Sequence, residues 1–136
     1  MNQPDLTSFH RLGNNAFVSL TTFRKTGVPV STPVWIARDG DELLVVTPEE
    51  SGKVKRLRNS PEVEIRPCSR TGKVADDAVV GTGVAEIVVD LDGRLERIMR
   101  EKYGFQYGLT MVIERLLARR QKPRVFLRLT PAVTPS

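Results

Sequence analysis

VPVSTPVWIARDGDELLVVT, residues 28–47, reads as two extended runs joined by a turn. Val28–Arg38 reads as an extended segment, Asp39-Gly40-Asp41 is a strong turn signal, and Glu42–Thr47 is a run short and apolar enough for a strand buried on both faces. Pro29 and Pro33 restrict where ladder hydrogen bonds can form, so Pro33 marks an edge or a bulge. Immediately upstream, Ala16–Phe23 (AFVSLTTF) alternates apolar and small polar residues as a half-buried strand does. Arg24-Lys25-Thr26-Gly27 breaks that alternation, and Gly27 points to a hairpin. Three antiparallel strands are therefore expected by Pro48.

Downstream, Ser51 is a plausible N-cap for a short helix over Gly52–Arg58, with Val54 and Leu57 at i and i+3 and the basic residues on the other face. Asn59-Ser60-Pro61 ends it, Val63–Cys68 alternates again, and Ser69–Asp77 has no apolar pattern. Val79–Val89 predicts a long strand in which Gly81 and Gly83 mark a bend or the close approach of another backbone. The period then changes. Leu95, Ile98, Met99 and Tyr103 share a helical face that Gly104 stops, and Leu109, Val112, Ile113, Leu116 and Leu117 predict a further helix to about Arg120. Pro123 ends that helix, and Arg124–Thr130 alternates as a last strand. Six strands with few, short helices make the fold class mainly β, a closed or nearly closed antiparallel barrel, because closure removes exposed edges.

At 136 residues the chain is long enough for one core, so residues 1–136 are read as a single domain. Apolar residues at 40% and charged residues at 27% exclude a disordered chain. No apolar run exceeds four residues, against roughly 20 for a spanning helix and roughly 7 to 15 for a signal-peptide core. One His and one Cys form neither an intrachain disulfide nor a four-ligand zinc site, so the expectation is a cytoplasmic protein without structural metal. The net charge of +5 is local. Residues 51–73 hold Lys53, Lys55, Arg56, Arg58, Arg66, Arg70 and Lys73 against Glu62 and Glu64, the whole of the excess, and an anionic guest is the natural partner for such a segment. A second basic stretch spans Arg115–Arg128.

Conventional catalytic groupings are absent from the pattern, and no catalytic residue is assigned. His10 precedes the first strand and would have to serve a triad alone. Cys68 stands beside basic residues able to lower a thiol pKa, yet free cysteines more often pack as small hydrophobes. Glu49-Glu50 and Asp76-Asp77 adjoin turns and read as solvated loops. By contrast, Thr47-Pro48-Glu49-Glu50-Ser51-Gly52-Lys53 joins a buried strand to a basic helix and offers hydroxyls, helix-start N–H groups and a lysine, the parts of a phosphate site. Glu49 and Glu50 would compete with a bound anion. Spacing alone leaves an anion site and a plain solvated helix face both open.

Taken in order, Leu20-Thr21-Thr22, Gly27 through Trp35, and Ser51 through Arg58 followed by Asn59-Ser60-Pro61 resemble the pyridoxamine 5′-phosphate oxidase-like flavin and deazaflavin oxidoreductases. Lys102-Tyr103-Gly104 and the closing Arg124–Leu129 with Pro131 resemble the branch that depends on the deazaflavin coenzyme F420. The resemblance implies a six-stranded split β-barrel of the FMN-binding type, a homodimer with a cofactor groove at its interface. It implies ring contacts from Thr32, Pro33, Val34 and Trp35, with Thr47 and Pro48 beside them. It implies a phosphate end at Ser51, Gly52 and Lys53 with Lys55 or Arg56 nearby, and an approach by Arg66, Pro67 and Cys68. Trp35 has a second reading as core or interface packing. The strongly anionic tail of F420 suits the basic segment better than FMN (riboflavin phosphate), whose tail is shorter. The implied activity is hydride transfer from the reduced deazaflavin to an electron-poor, often conjugated small molecule, with Arg66, Tyr103 or water as the source of a proton.

Three other readings remain: an FMN-dependent oxidase or reductase of the same fold, a non-catalytic cofactor-binding protein, and a basic nucleic-acid-binding barrel. Against the last, no aromatic residue is interleaved with the basic run Lys53–Arg58, so a stacking platform is missing there. No membrane partner is expected.

Overall fold

The computed structural model describes residues 6–104 and 124–132, so the helix expected over Leu109–Arg120 lies outside the described residues. The elements run α1 (Leu6–Arg11), a 3-10 turn (Leu12–Asn14), β1 (Phe17–Phe23), β2 (Pro29–Asp39), β3 (Glu42–Pro48), α2 (Gly52–Asn59), β4 (Glu62–Pro67), β5 (Gly81–Val88), α3 (Arg94–Tyr103) and β6 (Arg124–Pro131). The strands close an antiparallel barrel in the order β1-β2-β3-β6-β5-β4. This is the mainly β, six-stranded barrel that the alternating runs predict. Gly27, at φ 87°, closes the β1–β2 hairpin through its N–H to the Arg24 carbonyl, and Gly40 at φ 62° serves the β2–β3 turn.

Alternation sorts the side chains onto two faces. Val18, Leu20, Val34, Ile36, Leu43, Val45, Val63, Ile65, Leu127 and Leu129 fill the barrel. Each fully buried Leu or Ile contributes roughly 1.5–3 kcal/mol of transfer free energy. On the outside, Ala37, Leu44 and Phe126 meet Leu95 and Met99 of α3, with Trp35, Val46, Val88 and Tyr103 around them. β3 is therefore covered on both faces, as its unbroken apolar run requires.

The two barrel ends are closed differently. At one end α1 and the following turn insert Phe9 and Leu12, a plug in a segment that reads from sequence as a polar start with no element assigned. The hollow that takes them is made by glycine: a Cβ on Gly81 would lie 2.5 Å from Leu12 Cδ1, and one on Gly83 would strike the Thr130 carbonyl and meet the Phe9 ring at 3.1 Å. At the other end α2 covers the opening with Val54 and Leu57. β5 starts at Gly81, two residues later than the sequence reading has it. In the β4–β5 register Val79 would face Pro67, which has no N–H to offer, so the ladder begins at Ile65↔Gly81.

α3 is fixed by its ends. The Asp90 carboxylate accepts the N–H groups of Leu95 and Glu96, both at 3.1 Å, and Gly104 at φ 59° stops the helix with its N–H on the Arg100 carbonyl. Just before that stop, Lys102 and Tyr103 tie the helix to the place where β1 and β2 part. Lys102 Nζ donates to the carbonyls of Gly13, Asn15 and Ile36 at 2.6, 2.6 and 2.5 Å. The Tyr103 hydroxyl accepts from the Ile36 N–H at 2.8 Å and lies 2.7 Å from each of two carbonyl acceptors, Ala16 and Ile36. Phe17↔Trp35 is the last β1–β2 pair, so the phenol bridges the two groups that would otherwise form the next one. Among the described residues no helix is long and apolar enough to cross a membrane.

Candidate functional site

A polar pole forms where β3 runs into α2. Thr47 is buried, and its hydroxyl donates to Ser51 Oγ at 3.1 Å. Ser51 is the N-cap of α2, accepting the Val54 N–H at 3.4 Å, so the helix start expected at this residue is present. Gly52 lies beneath the guanidinium of Arg56, one of whose nitrogens would stand 2.8 Å from a Cβ at this position. The arginine folds back across the helix start and donates from Nε to Thr22 Oγ1 at 2.6 Å. Thr22 is fully buried at the end of β1, a polar residue on the inward-facing positions that otherwise carry Val18 and Leu20. That break in the apolar alternation is the sequence signal for it, although no site role was assigned to it from sequence.

Cations gather at this pole, with Glu49 and Glu50 just before the helix start. Lys53 is half-buried, and its pKa is lowered by burial first and by the neighbouring Arg56 charge second. Among the described residues neither Lys53 nor Arg56 enters an ion pair, whereas Arg66, Arg94, Arg100 and Arg128 each do. Two cations at a helix N-terminus, with hydroxyls of Thr22, Thr47 and Ser51 beside them, make an arrangement suited to an anion. Lys55 and Arg58 lie on the exposed side of α2.

The pole adjoins a parting of strands. β2 pairs with β3 only over Ile36↔Val45 to Asp39↔Glu42, so residues 29–35 of β2 and 46–48 of β3 diverge toward the α2 end. Thr32 faces inward opposite Leu20, and its Oγ1 is buried without a hydrogen-bond partner. Such an orphaned hydroxyl costs free energy unless something polar reaches it. Val34 is core, and Pro33 and Pro48 are exposed on the two lips of the parting. The residues nominated from sequence are thus brought together in part: Thr47, Ser51, Gly52, Lys53 and Arg56 form the pole, with Thr32, Pro33 and Pro48 bordering the adjoining opening.

Others lie apart in the chain. Trp35 points outward and stacks on Tyr103 at 4.6 Å between centroids, with Phe17 edge-on at 6.4 Å. That geometry is packing between the sheet and α3. Arg66 is opposite Ser19, three residues along β1 from Thr22, a rise of roughly 10 Å. It is ion-paired with Glu64 at 3.0 Å. Pro67 faces Val18, and burial raises the Cys68 thiol pKa, which suits a packed cysteine more than a reactive one. The Tyr103 hydroxyl is committed to backbone groups, and its pKa is pushed up to about 12, chiefly by burial. His10 sits in α1, edge-on to Phe9. No group of three metal-ligating side chains occurs among the described residues. A separate open hollow of about 570 Å³, lined by Phe23, Arg24, Lys25, Gly27, Asn59, Ser60 and Glu62, contains none of the nominated residues.

Comparison with known proteins agrees with this architecture. Residues 10–134 match the pyridoxamine 5′-phosphate oxidase family model. Among solved structures, an F420 reductase superposes with a TM-score of 0.61 at 20% identity, covering 92% of this chain and 94% of its own. A conserved hypothetical protein of Mycobacterium tuberculosis gives 0.64 at 23% identity, covering 96% and 81%. The heme storage protein HutZ of Vibrio cholerae gives 0.63 at 18% identity, covering 96% and 90%. These likenesses show a shared fold. No curated protein matches the chain.

Proposed function

The chain belongs to the pyridoxamine 5′-phosphate oxidase family, and from that premise we propose that it is an oxidoreductase that binds coenzyme F420 with its phosphate end at the start of α2. The observation that carries this reading is the cation couple Lys53 and Arg56, outside any ion pair among the described residues and set against Thr22, Thr47 and Ser51. The residues fit the group: the pole offers cations and hydroxyls to a phosphate, and the orphaned Thr32 hydroxyl beside it offers a hydrogen bond to a polar ring edge. A longer anionic tail than that of FMN has further cationic neighbours in Lys55 and Arg58 on the same helix. The resemblance of Lys102-Tyr103-Gly104 to the deazaflavin branch, and the F420 reductase among the structural neighbours, favour the deazaflavin.

When bound, the reduced deazaflavin supplies a hydride to an electron-poor small molecule. This chain's part is positional and electrostatic: Arg56 and Lys53 anchor the anionic end, the parting of β2 and β3 orients the ring, and the apolar barrel wall keeps water from it. A cytoplasmic homodimer, with a second copy completing the groove, belongs to the same reading and accounts for the separate location of Arg66, Pro67 and Cys68 within one chain.

The test is a fluorescence titration of cofactor-free protein with F420 and, separately, with FMN at low and moderate salt. Preferential, salt-weakened F420 binding, followed by oxidation of reduced F420 when electron-poor acceptors are added, is the expected result. Preference for FMN would move the protein to the flavin side of the family. Binding of neither would remove the proposal.

A further inference from the structure

Two prolines stand beyond the end of the β2–β3 ladder, whose last pair is Ile36↔Val45. Along β1, the even-numbered residues turn their N–H and C=O groups toward β2 and the odd-numbered ones toward β4, as the Cys68 N–H on the Phe17 carbonyl and the Arg24 N–H on the Val28 carbonyl establish. The β1–β2 register pairs even with even, so the odd-numbered residues of β2 present their backbone groups to β3. In the β2–β3 register Ala37 faces Leu44 and Asp39 faces Glu42. Carried on past the last pair, Ile36↔Val45, the same register sets Trp35 opposite Val46 and then Pro33 opposite Pro48. That position requires an N–H from each strand, and neither residue has one. The Pro48 carbonyl, the one acceptor β3 would contribute there, is already taken by the Ser51 N–H at 3.1 Å in the turn into α2.

We propose that Pro33 and Pro48 are a matched pair of ladder stops that hold the barrel open at this point, keeping the backbone edge of Ser31 and Pro33 available to a planar, hydrogen-bonding ligand. The proposal rests on the reading of this opening as the cofactor's ring site, and it adds what keeps that site from closing. A continuous ladder would zip the two lips together and shut the opening beside Thr32. Pro29, at the far end of the same edge, has no β3 residue opposite it in this register, so its ring serves as an internal control.

The experiment compares P33A/P48A with P29A and the unaltered protein by amide hydrogen exchange without ligand and by F420 titration, with thermal unfolding as the check on folding. The expected result is slow exchange at the new amide of residue 48. F420 affinity should fall about tenfold or more, since the ligand must break one or two newly formed ladder bonds. P29A should bind as the unaltered protein does. Free exchange at residues 33 and 48 in a folded P33A/P48A would overturn the proposal, whatever the titration shows. Slow exchange with unchanged F420 affinity would retain the ladder stop and overturn the placement of the ring. Should P33A/P48A fail to fold, P48A alone, which restores the donor toward the Pro33 carbonyl, carries the same exchange test.

Discussion

Tyr103 ties α3 to the place where β1 and β2 separate. Its hydroxyl spans the Ile36 N–H and the Ala16 carbonyl, the two groups left when β1 and β2 separate, and its ring stacks on Trp35. Burial pushes its pKa from 10.0 up to about 12, so the folded protein holds the phenolic proton more tightly than the unfolded chain does. The sign follows from linkage. The stability that Tyr103 contributes is fully present below pH 10 and is lost as pH rises through 12. The difference in unfolding free energy between the unaltered protein and Y103F should therefore be constant up to about pH 10 and shrink above it, read by urea unfolding at a series of pH values. Lys102 titrates in the other direction: burial lowers its pKa to about 8, while three carbonyl acceptors favour its ammonium. The structural role of this pair is not legible in the sequence: Lys102-Tyr103-Gly104 reads as the end of a helix, a resemblance to the deazaflavin branch and a candidate proton source, and only the fold brings residues 13–16 and 36 against it. Thr22 is the converse case, since its place among inward-facing apolar residues was visible, but its partner Arg56 lies 34 positions away and no local pattern pairs them.

At the scale of elements, the strands and the helices α2 and α3 were readable because each rests on local signals: alternation, Ser51 as a cap, Gly27 and Gly104 at positive φ. α1 was not, because its apolar residues Phe9 and Leu12 make too short a stripe to show a period. What makes them structural is the hollow over Gly81 and Gly83, a tertiary feature. The glycines did announce a close approach; the partners proved to be Phe9 and Leu12 as well as the Thr130 carbonyl. α3 supplies a prediction of its own. Asp90 holds two of the first N–H groups of the helix, with Gly93 at φ 77° turning the chain between them. Asp90→Ala should cost about 1–2 kcal/mol in urea unfolding, with loss of helical circular dichroism as the first turn frays. A cost under about 0.3 kcal/mol would show that packing of Leu95 and Met99 alone holds the helix.

For the molecule as a whole, the sequence located the charge but not its use. All of the +5 lies within residues 51–73, yet the fold distributes it: Arg66 goes to an ion pair on the outer face, Arg70 and Lys73 to a loop, Lys55 and Arg58 to the exposed side of α2. Only Lys53 and Arg56 meet at the pole beside the parting of β2 and β3, where the guanidinium folds back over Gly52 to Thr22. The barrel thus reserves two cations for one place. The most direct test of this is the F420 affinity of K53A/R56A relative to the unaltered protein at low salt. The expected loss is roughly a hundredfold, from removal of two charge-assisted contacts of about 1.5 kcal/mol or more each, with a reduced dependence of affinity on salt. An affinity and salt dependence equal to those of the unaltered protein, in a variant that folds, would contradict it.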